Sequence, residues 1–548
     1  MRRTQNHVPV RELTCLDLFS GCGGFSLGVH RAGWQVKASV DFDPKAVDVY
    51  TANFANSDYA LCRDLTKYSP ADLERETGLR QVDMIIGGPP CQGFSQVRQR
   101  DGANNGGRLI DDPRRRLYQQ YFEYVDHFKP MLFVMENVLG IRSADGGRYY
   151  QAVHTTAREH GYRVIGTVIN AWEFGVPQKR RRQFIIGTRI NLPKYFRPQT
   201  ITSMVESRDF KLGHAIGDLP RMSAGTGSEV AEYDLALRQK QLADPLAAWF
   251  LRNIAEISKA KKLTAHVARP HSERDLRDFE KIGEGENAKH VLERGVELEF
   301  PYDRSTFHDR YTRQSRHDYC STIVAHLSRD GLMFIHPTQL RSLTVREAAR
   351  IQTFPDWFQF PVSRTHQYRV IGNAVPPLVG WAVGNAAASF VREVMEASRR
   401  RKSLPSELIP VNEREAADSL LHLLHLQDRN ELTEATKVEF LKGWFGAAFL
   451  FPGLHPDSAH DHGSEIQPPE EALRRRLKRL NERLAGPHFV QSGWPTILVD
   501  IGIEAARRFT TGELRDDDYY CSAAAHAGLS SVAKSTASHK RTEHVIAG

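Results

Sequence analysis

DLFSGCGGFSLG, residues 17–28, is the stretch on which the fold turns. It closes an apolar run, Leu13–Phe19, and opens a segment of helical period, so it reads as the turn from a first strand into a first helix. Gly21, Gly23, Gly24 and Gly28, with Phe19 and Ser20 at the mouth of the turn, let backbone N–H groups come close to a ligand. A purely structural turn is the competing reading at this point. Ser26 stands where a GxGxxG fingerprint has its last glycine, which argues against a pyrophosphate cofactor. Asp41 ends a second strand in SVDFDP, twenty residues after Gly21, where a carboxylate can accept both hydroxyls of a ribose. Phe42 offers a face for an adenine, and Asp64, in CRDLT after a third strand, an acceptor for its exocyclic amine.

On either side of this turn, residues 13–188 alternate short apolar runs with helical segments. Strands are expected at Leu13–Phe19, Val36–Val40, Val82–Ile86, Met131–Met135, Tyr162–Ile169 and Phe184–Gly187, with helices over Pro44–Phe54 and Ser69–Thr77. This is an α/β pattern, a Rossmann-like doubly wound and mostly parallel sheet, whose ligands sit at the carboxyl ends of the strands. Residues 1–189 form its first part. Residues 190–335 lose the period and read as a smaller inserted domain, with Asp244–Lys261 its most helical piece. Residues 336–400 return to the sheet domain through TVREAARIQTF, a capped amphipathic helix stopped by Pro355, and a helix over Pro377–Arg392.

Residues 401–522 read as a helical extension, with helices expected around 413–427, 434–451 and 469–485. Residues 523–548, rich in Ala, Ser and His, are expected to be disordered. His460, Asp461 and His462 read as a polar loop in preference to a metal site.

The chain has 548 residues, 41% apolar and 26% charged, which excludes a stapled miniprotein, a fibrous repeat and wholesale disorder. Six cysteines without CxxC spacing indicate reduced thiols and no metal. No apolar run reaches 18 residues and no signal peptide opens the chain, so a cytoplasmic protein without a membrane is expected. Residues 1–400 hold 56 Lys+Arg against 45 Asp+Glu, and residues 401–548 hold 18 against 21. The basic front suits a polyanionic partner.

GGPPCQGFSQ, residues 87–96, follows the fourth strand. Two prolines stiffen the backbone ahead of Cys91 and three glycines surround it, a setting for a nucleophilic thiol at a strand's carboxyl end. MLFVMENV brings Glu136 and Asn137 to the same edge, where a carboxyl can donate or share a proton. In QKRRR, Arg180 and Arg182 fall on one side of an extended segment, where guanidinium groups can hold a phosphate or a carbonyl oxygen.

The ordered series DLFSGCGG, PPCQ, ENV, QKRRR, TVREAARIQTFPD and IGNAVPP resembles that of the DNA (cytosine-5)-methyltransferases, from residue 13 to about 395. The resemblance implies a class I S-adenosyl-L-methionine-dependent methyltransferase fold and double-stranded DNA as substrate. It places the cofactor against Phe19, Ser20, Gly21, Gly23 and Gly24, with Asp41 on the ribose, Phe42 and Asp64 around the adenine, and Pro90, Leu117, Asn373 and Val375 completing the pocket. Asp41 replaces a more usual Glu, and Pro113, Arg115 and Arg116 alter the segment before Leu117.

By the same resemblance, Cys91 adds to C6 of a flipped-out cytosine, Glu136 binds the N3 and N4 edge, and Arg182 with Arg180 holds the base carbonyl and adjacent phosphate. Residues 190–335 become a target recognition domain, with HVARPHSERDLRDF, residues 266–279, as a DNA-facing piece. A transfer-RNA methyltransferase and a catalytically silent DNA-binding regulator remain alternatives. Enzymes of this kind mark host DNA in restriction or DISARM-like phage-defence systems, and residues 401–548 are then expected to dock a companion protein.

Overall fold

The computed structural model describes residues 11–54, 59–90, 117–190, 192, 196–203, 208–299, 311–329 and 331–400. Cys91, the segment holding Pro113, Arg115 and Arg116, and everything expected beyond residue 400 lie outside the described residues.

Seven strands form one sheet: β1 Leu13–Leu18, β2 Trp34–Asp41, β3 Ala60–Cys62, β4 Met84–Gly87, β5 Leu132–Asn137, β6 Tyr162–Asn170 and β7 Arg181–Arg189. Their order is β3-β2-β1-β4-β5-β7-β6, and β1 runs parallel to both β2 and β4. Every residue of β4 and β5 is buried, as a strand covered on both faces requires, which is why they read as unbroken apolar runs. The order reverses between β1 and β4, so the loops after these two strands part there and leave a crevice at their carboxyl ends. The glycine turn follows β1 and the GGPP stretch follows β4. Both open on that crevice.

The helices begin where their caps dictate. After α1, Gly24–Arg31, comes α2, Pro44–Asn53, where Asp43 accepts the Lys45 N–H. α3, Pro70–Thr77, opens on a reciprocal box between Ser69 and Asp72, and Gly78 closes it in the left-handed region. Leu117–Phe128 forms α4.

The chain divides into two compact units. One comprises Met1–Ile141, Ile165–Ile186 and Arg197–Val391 and contains every site residue discussed below; the other comprises Arg142–Val164, Gly187–Phe196 and Arg392–Gly548. In the second, α5, Arg148–Glu159, buries Tyr149, Val153 and Ala157 along one stripe.

Within the first unit, Gly227–Ala231 (β8) pairs antiparallel with Leu263–Val267 (β9). The helix expected over 244–261 is shorter: α6, Pro245–Asn253, starts on the Asp244 cap, and the chain has left the helix by Glu256, where φ is +49°. α7, Glu273–Lys281, and α8, Ala288–Glu293, enclose a small core of Phe279, Val291, Tyr311, Leu332 and Ile335.

TVREAARIQTF does form a capped helix, α9, Val345–Ile351, with a Thr344–Glu347 box. It is not amphipathic, because all seven residues are buried and its arginines are paired internally. Arg350 bonds Asp218 and Asp356, Arg346 bonds the Thr264, Pro355 and Phe358 carbonyls, and Arg341 grips Glu347 with two nitrogens at 2.8 and 2.7 Å. α10, Arg364–Asn373, and α11, Pro377–Arg400, follow. The stretch Arg364–Glu396 is long and apolar enough to cross a membrane, but 83% of its most apolar window is buried inside the protein, as in a core helix.

Candidate active site

The glycine turn is held from the second strand. Asp41 accepts the Gly21 N–H on Oδ2 and the Asp43 N–H on Oδ1, both at 2.8 Å, which ties the end of β2 to the turn after β1. Burial pushes this carboxyl above the usual aspartate value, against the pull of those N–H groups. Phe19 sits at φ +57°, a left-handed conformation that a phenylalanine adopts only where its surroundings impose it. Gly23 has φ +86°, and a Cβ there would lie 2.6 Å from the Phe54 ring. A Cβ on Gly24 would lie 2.4 Å from the Val375 carbonyl oxygen, so the IGNAVPP segment packs directly on the turn.

Phe42 leaves β2 with 73% of its surface exposed, an uncovered ring beside the half-buried Asp41. Asp41 lies opposite Cys62 in the β2–β3 ladder, so Phe42 and Asp64 leave the sheet on neighbouring strands. Asp64 Oδ1 accepts the Thr66 N–H and hydroxyl, and these bonds pull its carboxyl below the ordinary range. Pro90 and Leu117 are half-buried, Asn373 is exposed and Val375 is buried. A carboxylate, an exposed aromatic face and a close-packed glycine turn fit an adenosine-bearing ligand.

Ser26 has a role the sequence did not reveal. Fully buried, it donates to Asp17 Oδ2 at 2.6 Å and accepts from the Tyr50 hydroxyl at 2.9 Å, pinning α1 to β1 and α2. Burial raises Asp17 to about 7. A carboxyl whose folded value exceeds its unfolded one favours folding fully below the unfolded value and loses that contribution as pH rises through the folded value. The loss therefore falls between about pH 4 and pH 7. Urea unfolding of Asp17→Asn should lack about 2–3 kcal/mol of the stability loss that the native chain shows between pH 5 and pH 8; equal slopes would refute it.

Across the crevice, Glu136 is the last residue but one of β5, and its Oε1 lies 3.1 Å from Arg182 Nε at the start of β7. The contact is ionic and poorly aligned as a hydrogen bond: among the described residues Oε1 has no hydrogen-bonding partner. A Cβ on Gly88 would lie 3.3 Å from Glu136 Oε2, so that carboxylate oxygen sits over the glycines preceding Pro89. Asn137 Nδ2 donates to the Pro89 carbonyl at 3.1 Å, while its Oδ1 accepts the Val138 N–H. The backbone just before Cys91 is thus fastened to the strand that carries Glu136.

Arg180 and Arg182 do share the inner side of their segment, with Arg181 exposed between them. Their guanidinium groups part, however. Arg180 is 1% exposed and donates to the Ile323, Gly372 and Ala374 carbonyls at 2.9, 3.3 and 2.9 Å, so its terminal nitrogens are not free for the phosphate or base oxygen expected of it. The expected DNA-facing piece is divided: Arg274 and Arg277 reach the surface, paired with Asp275 and Glu299, while most of the rest turns inward. In HVARPHSERDLRDF, His266 bonds Thr344 and the Pro220 carbonyl, Arg269 donates to the Leu327 carbonyl, His271 meets Ser342, and Asp275, Asp278 and Phe279 are buried. Its polar side chains are largely spent on internal partners. Among the described residues no three His, Cys, Asp or Glu side chains converge as a metal site.

Known proteins resemble this chain. The type II methyltransferase M.DdeI of Desulfomicrobium norvegicum is 34% identical over 400 residues, covering 70% of this chain and 90% of its own. M.XorII, the type II methyltransferase of Xanthomonas oryzae pv. oryzae, is 32% identical over 423 residues, 73% of this chain and 88% of its own. The crystal structure of an E. coli prophage protein, described as a DNA modification methyltransferase, superposes with a TM-score of 0.54 at 25% identity, covering 70% of this chain and all of its own. The family model for C-5 cytosine-specific DNA methylase matches residues 13–389, more than half of the chain, so the protein belongs to that family and methylates C5 of cytosine in DNA from S-adenosylmethionine.

Proposed function

We propose that the chain marks one recognition sequence in double-stranded DNA of its own cell, in the cytoplasm, as the modification half of a restriction or phage-defence system. The type II relatives support the biological setting. The observation that carries the chemistry is the Glu136–Arg182 pair beside the glycines that lead to Cys91. The Cys91 thiolate adds to C6 of a cytosine turned out of the duplex, and electron density moves to C5. Glu136 holds the N3 and N4 edge as charge builds there, and Arg182 holds the ring carbonyl. S-adenosylmethionine supplies a methyl group on a sulfonium, held against Phe19–Gly24, Asp41, Phe42, Asp64, Pro90, Leu117, Asn373 and Val375. C5 would take that methyl as the sulfonium's S–CH3 bond breaks and leaves its electron pair on a neutral thioether; a base then removes the C5 proton, and the electrons of that C–H bond restore the ring as Cys91 leaves. Unstacking the target costs a few kcal/mol, which contacts from residues 190–335 offset.

Residues 390–548 extend beyond the family match, and we assign 401–548 to docking a companion of the same defence system. Bisulfite sequencing of a methylation-free bacterial genome after expression tests the main reading. One sequence context should resist conversion, and a duplex with 5-fluorocytosine in that context should trap an adduct on the peptide containing Cys91. Full conversion with no adduct refutes the proposal, and protected cytosines confined to transfer RNA would move the substrate.

A further inference from the structure

The carbonyl end of α10 is closed by side chains from far along the chain. A helix leaves its last carbonyls without partners, and a glycine cap often supplies them locally. Here Gln352 Nε2 donates to the Ile371 carbonyl at 2.7 Å and reaches Ala374 O at 3.4 Å. Arg180 takes the Gly372 and Ala374 carbonyls. Gln178 joins the two donors: its Nε2 meets Gln352 Oε1 at 2.7 Å, and its Oε1 accepts the Ile323 N–H, whose own carbonyl Arg180 holds. All three side chains are buried.

The neighbouring backbone is under constraint as well. Thr353 is β-branched, fully buried and at φ +67°, and its hydroxyl accepts the Leu378 N–H at 3.1 Å. Such a conformation persists only where the surroundings over-determine it. The turn gripped in this way, Asn373–Val375, is the one whose Val375 carbonyl lies against Gly24.

We infer that Gln178, Arg180 and Gln352 are positioning residues that set the Asn373–Val375 turn against the glycine turn and so govern affinity for S-adenosylmethionine, without touching base or phosphate. This rests on the family reading, in which those two turns hold the cofactor. Arg180 Nε has no partner among the described residues, which makes the base the competing destination.

The full-length variants Arg180→Lys and Gln352→Met separate the two. The single nitrogen of an ammonium cannot stand both where Nη1 meets Ile323 and Gly372 and where Nη2 meets Ala374, and methionine keeps the glutamine's volume without its donors. Calorimetric titration with S-adenosylmethionine, without DNA, should show the dissociation constant raised about tenfold or more in both variants. KM for the cofactor should rise in parallel, with kcat at saturation and affinity for duplex DNA within about twofold. Unchanged cofactor affinity overturns the inference, whether the variants are merely less stable or lose kcat. So does weakened DNA binding by Arg180→Lys alone. If neither variant folds, hydrogen exchange on the native protein decides: the cofactor should protect the amides of Asn373, Ala374 and Val375 together with 19–24, and protection confined to 19–24 overturns it. A native protein that neither binds S-adenosylmethionine nor methylates DNA would instead refute the family reading.

Discussion

Glu136→Gln is expected to lower kcat by about 10²–10⁴ while leaving the dissociation constant for S-adenosylmethionine unchanged. The carboxyl stands near the end of a strand whose residues are all buried, and its Oε2 hangs over Gly88, where a side chain would crowd it. Few conformations are open to it. Glutamine keeps the size and an oxygen for Arg182 but presents an amide that cannot exchange a proton with a pyrimidine nitrogen. The loss should therefore appear in the chemical step. Rapid-quench measurement of methyl transfer at saturating cofactor and DNA checks it, with thermal unfolding run alongside. A rate within about tenfold of the native one would remove Glu136 from the reaction.

Arg350→Met should cost about 3–5 kcal/mol of stability, because removing one partner of a buried ion pair strands the other. Arg350 is fully buried between Asp218 and Asp356, which are fully buried too. The guanidinium holds the Asp356 carboxyl below its ordinary value, and the two acids hold Arg350 well above its own. Methionine fills most of the volume and supplies no charge. Arg238, with Nε 3.2 Å from Asp218, and Tyr233, with its hydroxyl 3.0 Å from Asp356, remain, which places the effect toward the lower end of that range. Urea unfolding at pH 7 measures it. Adding Asp218→Asn to Arg350→Met should recover part of the loss, since neighbours within one network do not add. A cost below about 1 kcal/mol would mean that water or rearrangement relieves the carboxylates.

The sheet was legible because β1, β4 and β5 announce themselves as apolar runs and the caps Asp43 and Ser69 sit beside prolines at helix starts. The turn after β1 was legible because only glycine tolerates the contacts at Gly23 and Gly24. Three-residue β3 is too short to carry a period, and CRDLT marks only the place where Asp64 leaves it. What stayed hidden was partnership. An arginine in a charged run reads as solvated or ligand-binding, and nothing local tells that Arg180 will meet carbonyls at 323, 372 and 374. Arg346 and Arg350 misled for the same reason, giving a helix with a polar face that proved entirely buried. Ser26 was read for the glycine it replaces, when its hydroxyl was the informative group.

Gly28 and Gly380 bring α1 and α11 together so closely that a Cβ on Gly28 would lie 2.4 Å from the Pro377 carbonyl and 2.5 Å from Gly380, and Trp34 donates to the Gly384 carbonyl at 2.8 Å. The first helix therefore waits on the ribosome. At about 5–20 residues per second, roughly 20–70 s of translation separate the emergence of its glycine from that of its partner. Through that interval the apolar side of α1 has no lid and Gly24 has no Val375 behind it. The power to modify DNA then arrives only when almost all of the matched region has been made.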